Sequence, residues 1–132
     1  MHFSVISAIA PFQGLTDYQA HIGGMLNPEV PMHVIVDFTV VPLGVGLSLS
    51  PYIVEVERVL QRSGLHYELH ANGTNVEGEW EAVMAAIRTC HETLHALGAP
   101  RIHTDIKLGT RSDREQHMAD KVRSVREKQA GA

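Results

Sequence analysis

The order in which hydrophobic periodicity changes along the chain is the feature that most restricts its fold. Polar and apolar residues alternate, as in strands, over residues 33–41 and again over residues 101–108. Between these runs lie two segments of helical periodicity, which predict helices over residues 51–63 and about 79–97. Glycine follows each helical segment directly, as is typical of helix C-termini.

A short hairpin connects the two predicted helices. Residues 66–70 alternate strictly, Asn72-Gly73 is a turn signal, and residues 74–77 can return as a second short strand. Ser112 has the spacing of a capping box with Glu115 and predicts the start of a polar C-terminal helix. The complete order predicts an α+β fold, a ferredoxin-like βαββαβ sandwich with an extra C-terminal helix.

The first 31 residues precede this pattern and show no sustained periodicity. We therefore interpret residues 1–31 as an N-terminal extension, which could be a leader, and residues 32–129 as the domain. The extension begins without a basic segment, which argues against a secretory signal peptide. Apolar runs in the sequence fall short of the ~20 residues that span a bilayer, so we expect no membrane partner.

Charge and cysteine content narrow the class of function. The formal net charge of −4 offers no positive field for phosphodiester backbones, so we expect no nucleic-acid partner. Cys90 is the single cysteine and cannot form an intrachain disulfide, which favours a reducing compartment. We therefore expect a soluble, cytoplasmic protein.

The pleat of each strand assigns its residues to two faces of the sheet. We expect the two crossover helices to cover the apolar set, which consists of Val34, Val36, Phe38, Tyr67, Leu69, Val76, Ile102 and Ile106. The opposite face would then carry the polar set, which consists of Asp37, Thr39, His66, Glu68, His70, Asn75, Glu77, His103, Asp105 and Lys107.

This opposite, outer face has two possible explanations. It could be a solvated sheet face, as antiparallel sheets allow. Alternatively, a second subunit could complete the sheet, and the presence of Ile35 and Val41 on the same face favours such a symmetric homo-oligomer. The acidic excess of the face could hold a cationic or amino-bearing ligand.

Motifs that could carry chemistry are weak in this sequence. His91 and His95 lie one helical turn apart beside Cys90, but a solvated helix face explains them better than a metal site, and we predict no metal. The loop over residues 44–50 could present backbone N–H groups to a ligand, with Ser48 as the side chain of interest. A nucleophilic triad finds no support, so we predict no catalytic residue, no cofactor, and binding rather than catalysis.

Several segments, taken together and in this order, resemble the small thiamine-binding proteins of the YkoF-like type. They span about residues 32–128 and comprise Val41-Pro42-Leu43-Gly44 with Ser48, Tyr52, residues 63–69, residues 73–78, and residues 101–107 with Arg111. The resemblance implies a ferredoxin-like fold and sheet-to-sheet dimers that assemble into homotetramers. It also implies a site for thiamine or its hydroxymethylpyrimidine moiety at a subunit interface.

The same resemblance implies a set of ligand-binding residues. Carried over residue by residue, it places Ser48, Thr74 and Glu77 around the ligand, with Asp37, Asn75 and Lys107 as neighbours. Glu77 would accept hydrogen bonds from the pyrimidine amino group or from a protonated ring nitrogen.

The sequence departs from the family in two places, and two other functions remain open. His70-Ala71-Asn72 stands where the family usually has a Pro-Met pair, and residues 1–31 have no counterpart. One alternative is an enzyme that acts on a related heterocycle, with His70 or His103 as a general base. The other is a structural or regulatory oligomer without a ligand.

Overall fold

The computed structural model describes residues 13–25 and 30–131. The chain divides into two compact units, Met1–Val30 and Pro31–Ala132. In the first unit, helix α1 covers Gln13–Ile22, although the sequence predicted no helix there. The rest of the predicted extension, residues 1–12 and 26–29, lies outside the described residues.

The second unit is built on one antiparallel sheet of four strands. These are β1 at His33–Leu43, β2 at His66–His70, β3 at Gly73–Glu79 and β4 at Arg101–Gly109. Their order across the sheet is β2-β3-β1-β4, and every neighbouring pair is antiparallel. This topology confirms the predicted ferredoxin-like α+β fold.

Two crossover helices connect the strands. Helix α2 covers Ser50–Ser63, one residue earlier at its start than predicted, with Leu49 at the N-cap and Pro51 in the first turn. It ends at Gly64, whose φ of 74° is left-handed. Helix α3 covers Trp80–Ala96.

The C-terminal helix α4 covers Met118–Ala130, so the predicted start at Ser112 is wrong. Arg111 explains the difference, because its guanidinium binds both carboxylate oxygens of Asp113, at 2.7 and 2.5 Å, and also binds Gln116 at 2.9 Å. These bonds hold the preceding segment in a loop. Among the described helices, none is long and apolar enough to cross a membrane.

The hydrophobic core lies between the sheet and the crossover helices. Its buried members include Val34, Val36, Phe38 and Val40 of β1, Val76 of β3, Val56, Val59 and Leu60 of α2, and Val83, Ile87, Cys90 and Leu94 of α3. Removing this apolar surface from water stabilises the fold by ~25 cal/mol per Å².

Three residues that the sequence predicted for the core are more exposed than expected. Leu69 and Ile106 are 56% and 42% exposed, because β2 and β4 are the edge strands and the helices cover them only in part. Leu97, the last apolar residue of the segment with helical periodicity predicted over residues 79–97, is 54% exposed because helix α3 ends at Ala96.

Candidate functional site

A cavity of about 800 Å³ is lined by helix α2 and by the strands that face it. Phe38 of β1, Ile53 of α2 and Tyr67 of β2 contribute apolar walls. Glu57 of α2 and Thr74 of β3 contribute polar groups. A concave, mostly apolar space of this size with a few convergent polar groups is typical of small-molecule sites.

The carboxylate of Glu57 is the unusual group in this cavity wall. Its Oε1 accepts a hydrogen bond of 2.6 Å from the Thr74 hydroxyl. Its Oε2 is buried and has no hydrogen-bond partner among the described residues. A buried carboxylate oxygen without a donor costs free energy, so this group is suited to a ligand that brings donors.

Glu57 escaped the sequence analysis although a signal was present. It lies four residues after Ile53 and three before Leu60, so helical geometry places its carboxylate on the apolar face of α2. An acidic residue in that position is unusual unless it is paired.

The charge of Glu57 also contributes to the pKa of the Cys90 thiol. Burial, and secondarily the negative charge of Glu57, raise the pKa of Cys90 from 9.0 to about 12. The thiol therefore stays protonated near neutral pH and is a poor nucleophile.

The turn that connects β2 to β3 is hydrogen-bonded to β1 and forms part of the cavity rim. His70 Nε2 lies 2.7 Å from Asp37 Oδ1, and the Asn72 N–H donates to His70 Nδ1 over 3.3 Å. The Thr39 hydroxyl donates to the Asn72 carbonyl over 2.6 Å. A Cβ on Gly73 would lie 2.7 Å from that hydroxyl oxygen, so the close approach of the turn to β1 requires glycine.

The three residues predicted as ligand neighbours, Asp37, Asn75 and Lys107, lie together on the outer face of the sheet. The strand register aligns Glu68, Asn75, Asp37 and Lys107 in one row across β2, β3, β1 and β4. We call these four residues the outer row. Glu68 and Lys107, at the two ends of the row, are exposed.

The three residues predicted to surround the ligand do not form one group within a single chain. Thr74 lines the cavity, whereas the pleat places Glu77 on the outer face of the same strand. Ser48 is exposed in the loop before α2, where Leu49 and Ser50 line the cavity instead. A common ligand set of Ser48, Thr74 and Glu77 therefore remains a prediction that requires more than one chain.

Glu77 belongs to a second polar cluster beneath the start of α4. Although only 6% of the residue is exposed, its Oε2 accepts a hydrogen bond of 2.9 Å from the Met118 N–H. The same oxygen lies 3.2 Å from His33 Nε2 and 3.5 Å from His117 Nδ1.

The histidine pair of α3 makes separate contacts that join the helix to its surroundings. His91 Nε2 lies 2.6 Å from the Thr104 hydroxyl, and His95 Nδ1 lies 2.8 Å from the Ala99 carbonyl. Desolvation, and secondarily the charge of His95, lower the pKa of His91. The interpretation as a solvated helix face therefore fits His95, which is exposed, but not His91, which is half-buried and bonds to Thr104 of β4.

Comparison with known proteins identifies the family of the chain. Residues 36–126 match the family described as thiamine-binding protein. A UPF0045 protein of Synechocystis sp. is 54% identical over 94 residues, which are 71% of this chain and 78% of that protein. A UPF0045 protein of Eremothecium gossypii is 43% identical over 98 residues, which are 74% of this chain and 93% of that protein.

Solved structures share the fold. A hypothetical protein from Methanocaldococcus jannaschii superposes with a TM-score of 0.67 at 27% identity, covering 73% of this chain and 98% of that one. A Thermotoga maritima protein with a provisional assignment to thiamine biosynthesis or salvage superposes with a TM-score of 0.61 at 24% identity, covering 70% and 98%. The family match supports a small-molecule binding role. The chain belongs to the thiamine-binding protein family.

Proposed function

We propose that this protein binds thiamine or its hydroxymethylpyrimidine moiety in the cavity beside α2. The observation that carries the proposal is the Glu57 carboxylate, which belongs to the cavity wall and has one buried oxygen that receives no hydrogen bond from residues 13–25 and 30–131. The family match supports the ligand class. A binding protein needs no catalytic group, and this proposal assigns none.

Recognition would depend on pairing between the carboxylate and the pyrimidine ring. The amino group and a protonated ring nitrogen are hydrogen-bond donors, and a free carboxylate oxygen can accept from them. The last torsion of a glutamate side chain is soft, so a small rotation brings Oε2 of Glu57 toward the ligand. The Thr74 hydroxyl holds the other oxygen, and Phe38 and Tyr67 provide apolar surface for the ring.

Glu57 and Glu77 can be distinguished by titration calorimetry with thiamine and, separately, with hydroxymethylpyrimidine. We expect Glu57→Gln to lose tenfold or more in affinity, because hydrogen bonds to a charged group contribute ~1.5–3 kcal/mol. Glu77→Gln should bind as the wild type does. Glu92→Gln, on the exposed side of α3, is the matched control.

The opposite pattern would move the ligand to the second cluster. If Glu77→Gln loses affinity and Glu57→Gln does not, the carboxylate implied by the family resemblance is the correct one. If the wild-type protein, freed of bound ligand, takes up neither compound, the proposed ligand class is wrong. Circular dichroism of each variant separates lost binding from lost folding.

We also propose a homo-oligomer in which the outer faces of two chains meet, with a homotetramer as the complete assembly. The outer row supports this proposal because it ends in opposite charges, Glu68 on β2 and Lys107 on β4. A two-fold axis that lies between the two sheets and runs parallel to the strands sets the acidic end of each row against the basic end of the other. The buried free thiol of Cys90 agrees with the proposed cytoplasmic location.

The pair formed by His70 and Asp37 at the cavity rim raises the possibility of an enzyme. An aspartate that orients a histidine is a common general-base arrangement. However, His70 Nδ1 accepts the Asn72 N–H, and Nε2 is directed at Asp37, so both ring nitrogens are already engaged. The pair therefore supports a role in shaping the turn, and binding remains the better proposal.

A further inference from the structure

We propose that His33, Glu77 and His117 form a binding site for a divalent transition-metal ion, with Zn²⁺ as the first candidate. His33 lies on β1, Glu77 lies on β3, and His117 directly precedes α4. Because Glu77 lies on the outer face of the sheet, this site is separate from the cavity at Glu57 and does not depend on the proposed ligand.

The distances between the three side chains suit a metal ion. Glu77 Oε2 lies 3.2 Å from His33 Nε2 and 3.5 Å from His117 Nδ1, and all three ligand atoms lie within 4.8 Å of one another. In a tetrahedral zinc site with bonds of ~2.1 Å, ligand atoms are roughly 3.4 Å apart. Small side-chain rotations are therefore sufficient to enclose an ion.

The surrounding structure orients the central carboxylate. Glu77 is buried, and the Met118 N–H holds its Oε2 at 2.9 Å. Its partner in the strand register is Ile35, so His33, two residues earlier in β1, is its diagonal neighbour on the outer face. Burial and backbone pairing thus fix two of the three ligands before the ion arrives.

The side chain of His117 brings its Nδ1 close to this carboxylate. Its Nε2 lies 3.2 Å from Glu115 Oε1, which is suited to accept the Nε2–H. Nδ1 then carries a lone pair and lies 3.5 Å from the Glu77 oxygen. A cation between these two electron-rich atoms would be stabilised by both of them. A carboxylate behind a ligating histidine, as Glu115 is here, is the usual outer-shell arrangement of zinc sites.

Two histidines and one glutamate leave the fourth position of a tetrahedral ion open. A small pocket of about 70 Å³ adjoins His33 and is also lined by Arg114 and Lys121. Water or a small anion would complete the coordination from this side. Arg111, which lines the same pocket, is paired with Asp113, so its charge is balanced.

The test uses the full chain after treatment with a chelator that is then removed. Calorimetric titration with Zn²⁺ should show one ion bound per chain, and Co²⁺ should give the intense visible absorption of a four-coordinate site. We expect His33→Gln and His117→Gln each to weaken Zn²⁺ binding at least tenfold. His103→Gln is the matched control, since His103 is an exposed histidine that also lies near a carboxylate, 3.1 Å from Asp105.

Three results would overturn the proposal. The first is that the wild type binds no Zn²⁺. The second is that His33→Gln and His117→Gln bind Zn²⁺ as tightly as His103→Gln does, which would mean that Glu77 only forms hydrogen bonds with the two rings. Loss of binding in His91→Gln alone would place the ion on α3 instead. His117 is half exposed, so its variant tests binding even if His33→Gln fails to fold.

Discussion

At the scale of single residues, the burial of the Cys90 thiol, and secondarily the charge of Glu57, raise the pKa of that thiol and so predict a dependence of stability on alkaline pH. The pKa of Cys90 is about 12 in the folded chain and ordinarily 9.0. Between these values the unfolded chain binds fewer protons than the folded one, so the free energy of unfolding decreases as pH rises. The contribution of the thiol is fully present below the lower value and is lost as pH approaches the upper one.

This prediction is checked by urea unfolding at neutral pH and at a pH between the two values. Lysine and tyrosine side chains titrate in the same range, so the informative quantity is the difference between wild type and Cys90→Ala. We expect the variant to be less stable at neutral pH, because it leaves a small cavity, and to lose less stability on alkalinisation. Equal losses in both proteins would show that the thiol is not shifted.

The two acidic residues Glu57 and Glu77 show how far single residues could be predicted. Alternation placed Glu77 on the outer face correctly. The contact between Glu77 and His117 could not be predicted, because the position of His117 depends on where α4 begins. Glu57 carried a helical-wheel signal, yet amphipathic helices often have a glutamate at the edge of the apolar face. Only the packing of α2 against β3 shows that Glu57 reaches Thr74 and borders a cavity.

At the scale of secondary structure, the start of α3 depends on one side chain. Glu79 Oε2 accepts the N–H groups of Glu81 and Ala82, at 2.8 and 3.3 Å. Glu79→Ala removes these bonds and should lower the free energy of unfolding by ~1 kcal/mol. Glu79→Gln keeps a carbonyl oxygen as acceptor and should lose less. Thermal or urea unfolding of both variants measures this, and equal stability of Glu79→Ala and wild type would exclude a capping role.

The helix and strand boundaries were predictable wherever local rules decided them. Periodicity and the glycine after each crossover helix were sufficient for the ends of α2 and α3, to within a residue or two. The start of α4 was not predictable, because a local capping signal at Ser112 competes with the bidentate pair between Arg111 and Asp113. Helix α1 shows no clear apolar stripe in the sequence, so periodicity could not reveal it.

At the scale of the whole molecule, the order of strand and helix periods was enough to predict the topology. A βαββαβ order with short connections leaves few unknotted arrangements, and right-handed crossovers select among them. The cavity was not predictable, because it depends on how closely α2 packs on the sheet. The assembly likewise depends on surfaces whose partners lie outside the chain, and the outer row therefore requires a direct test.

Charge reversal at Lys107 tests both the assembly and the location of the ligand. If two outer rows meet, Lys107→Glu places like charges opposite Glu68 and should shift the oligomer toward smaller species in light-scattering measurements. Adding Glu68→Lys should restore the assembly, while Arg88→Glu on the exposed side of α3 should leave it unchanged. An unaltered mass for Lys107→Glu would exclude this face as the interface.

Ligand affinity measured on a dissociated variant shows whether the ligand site needs one chain or two. Glu68→Lys should dissociate the same interface and leaves the predicted ligand neighbour Lys107 unchanged. The cavity at Glu57 is lined by residues of one chain, so a monomeric Glu68→Lys protein should keep most of its affinity for thiamine or hydroxymethylpyrimidine. A site assembled from Ser48, Thr74 and Glu77 would need a second chain, because the sheet separates Thr74 from Glu77. Loss of ligand binding on dissociation, with the fold intact by circular dichroism, would therefore favour the shared site over the cavity.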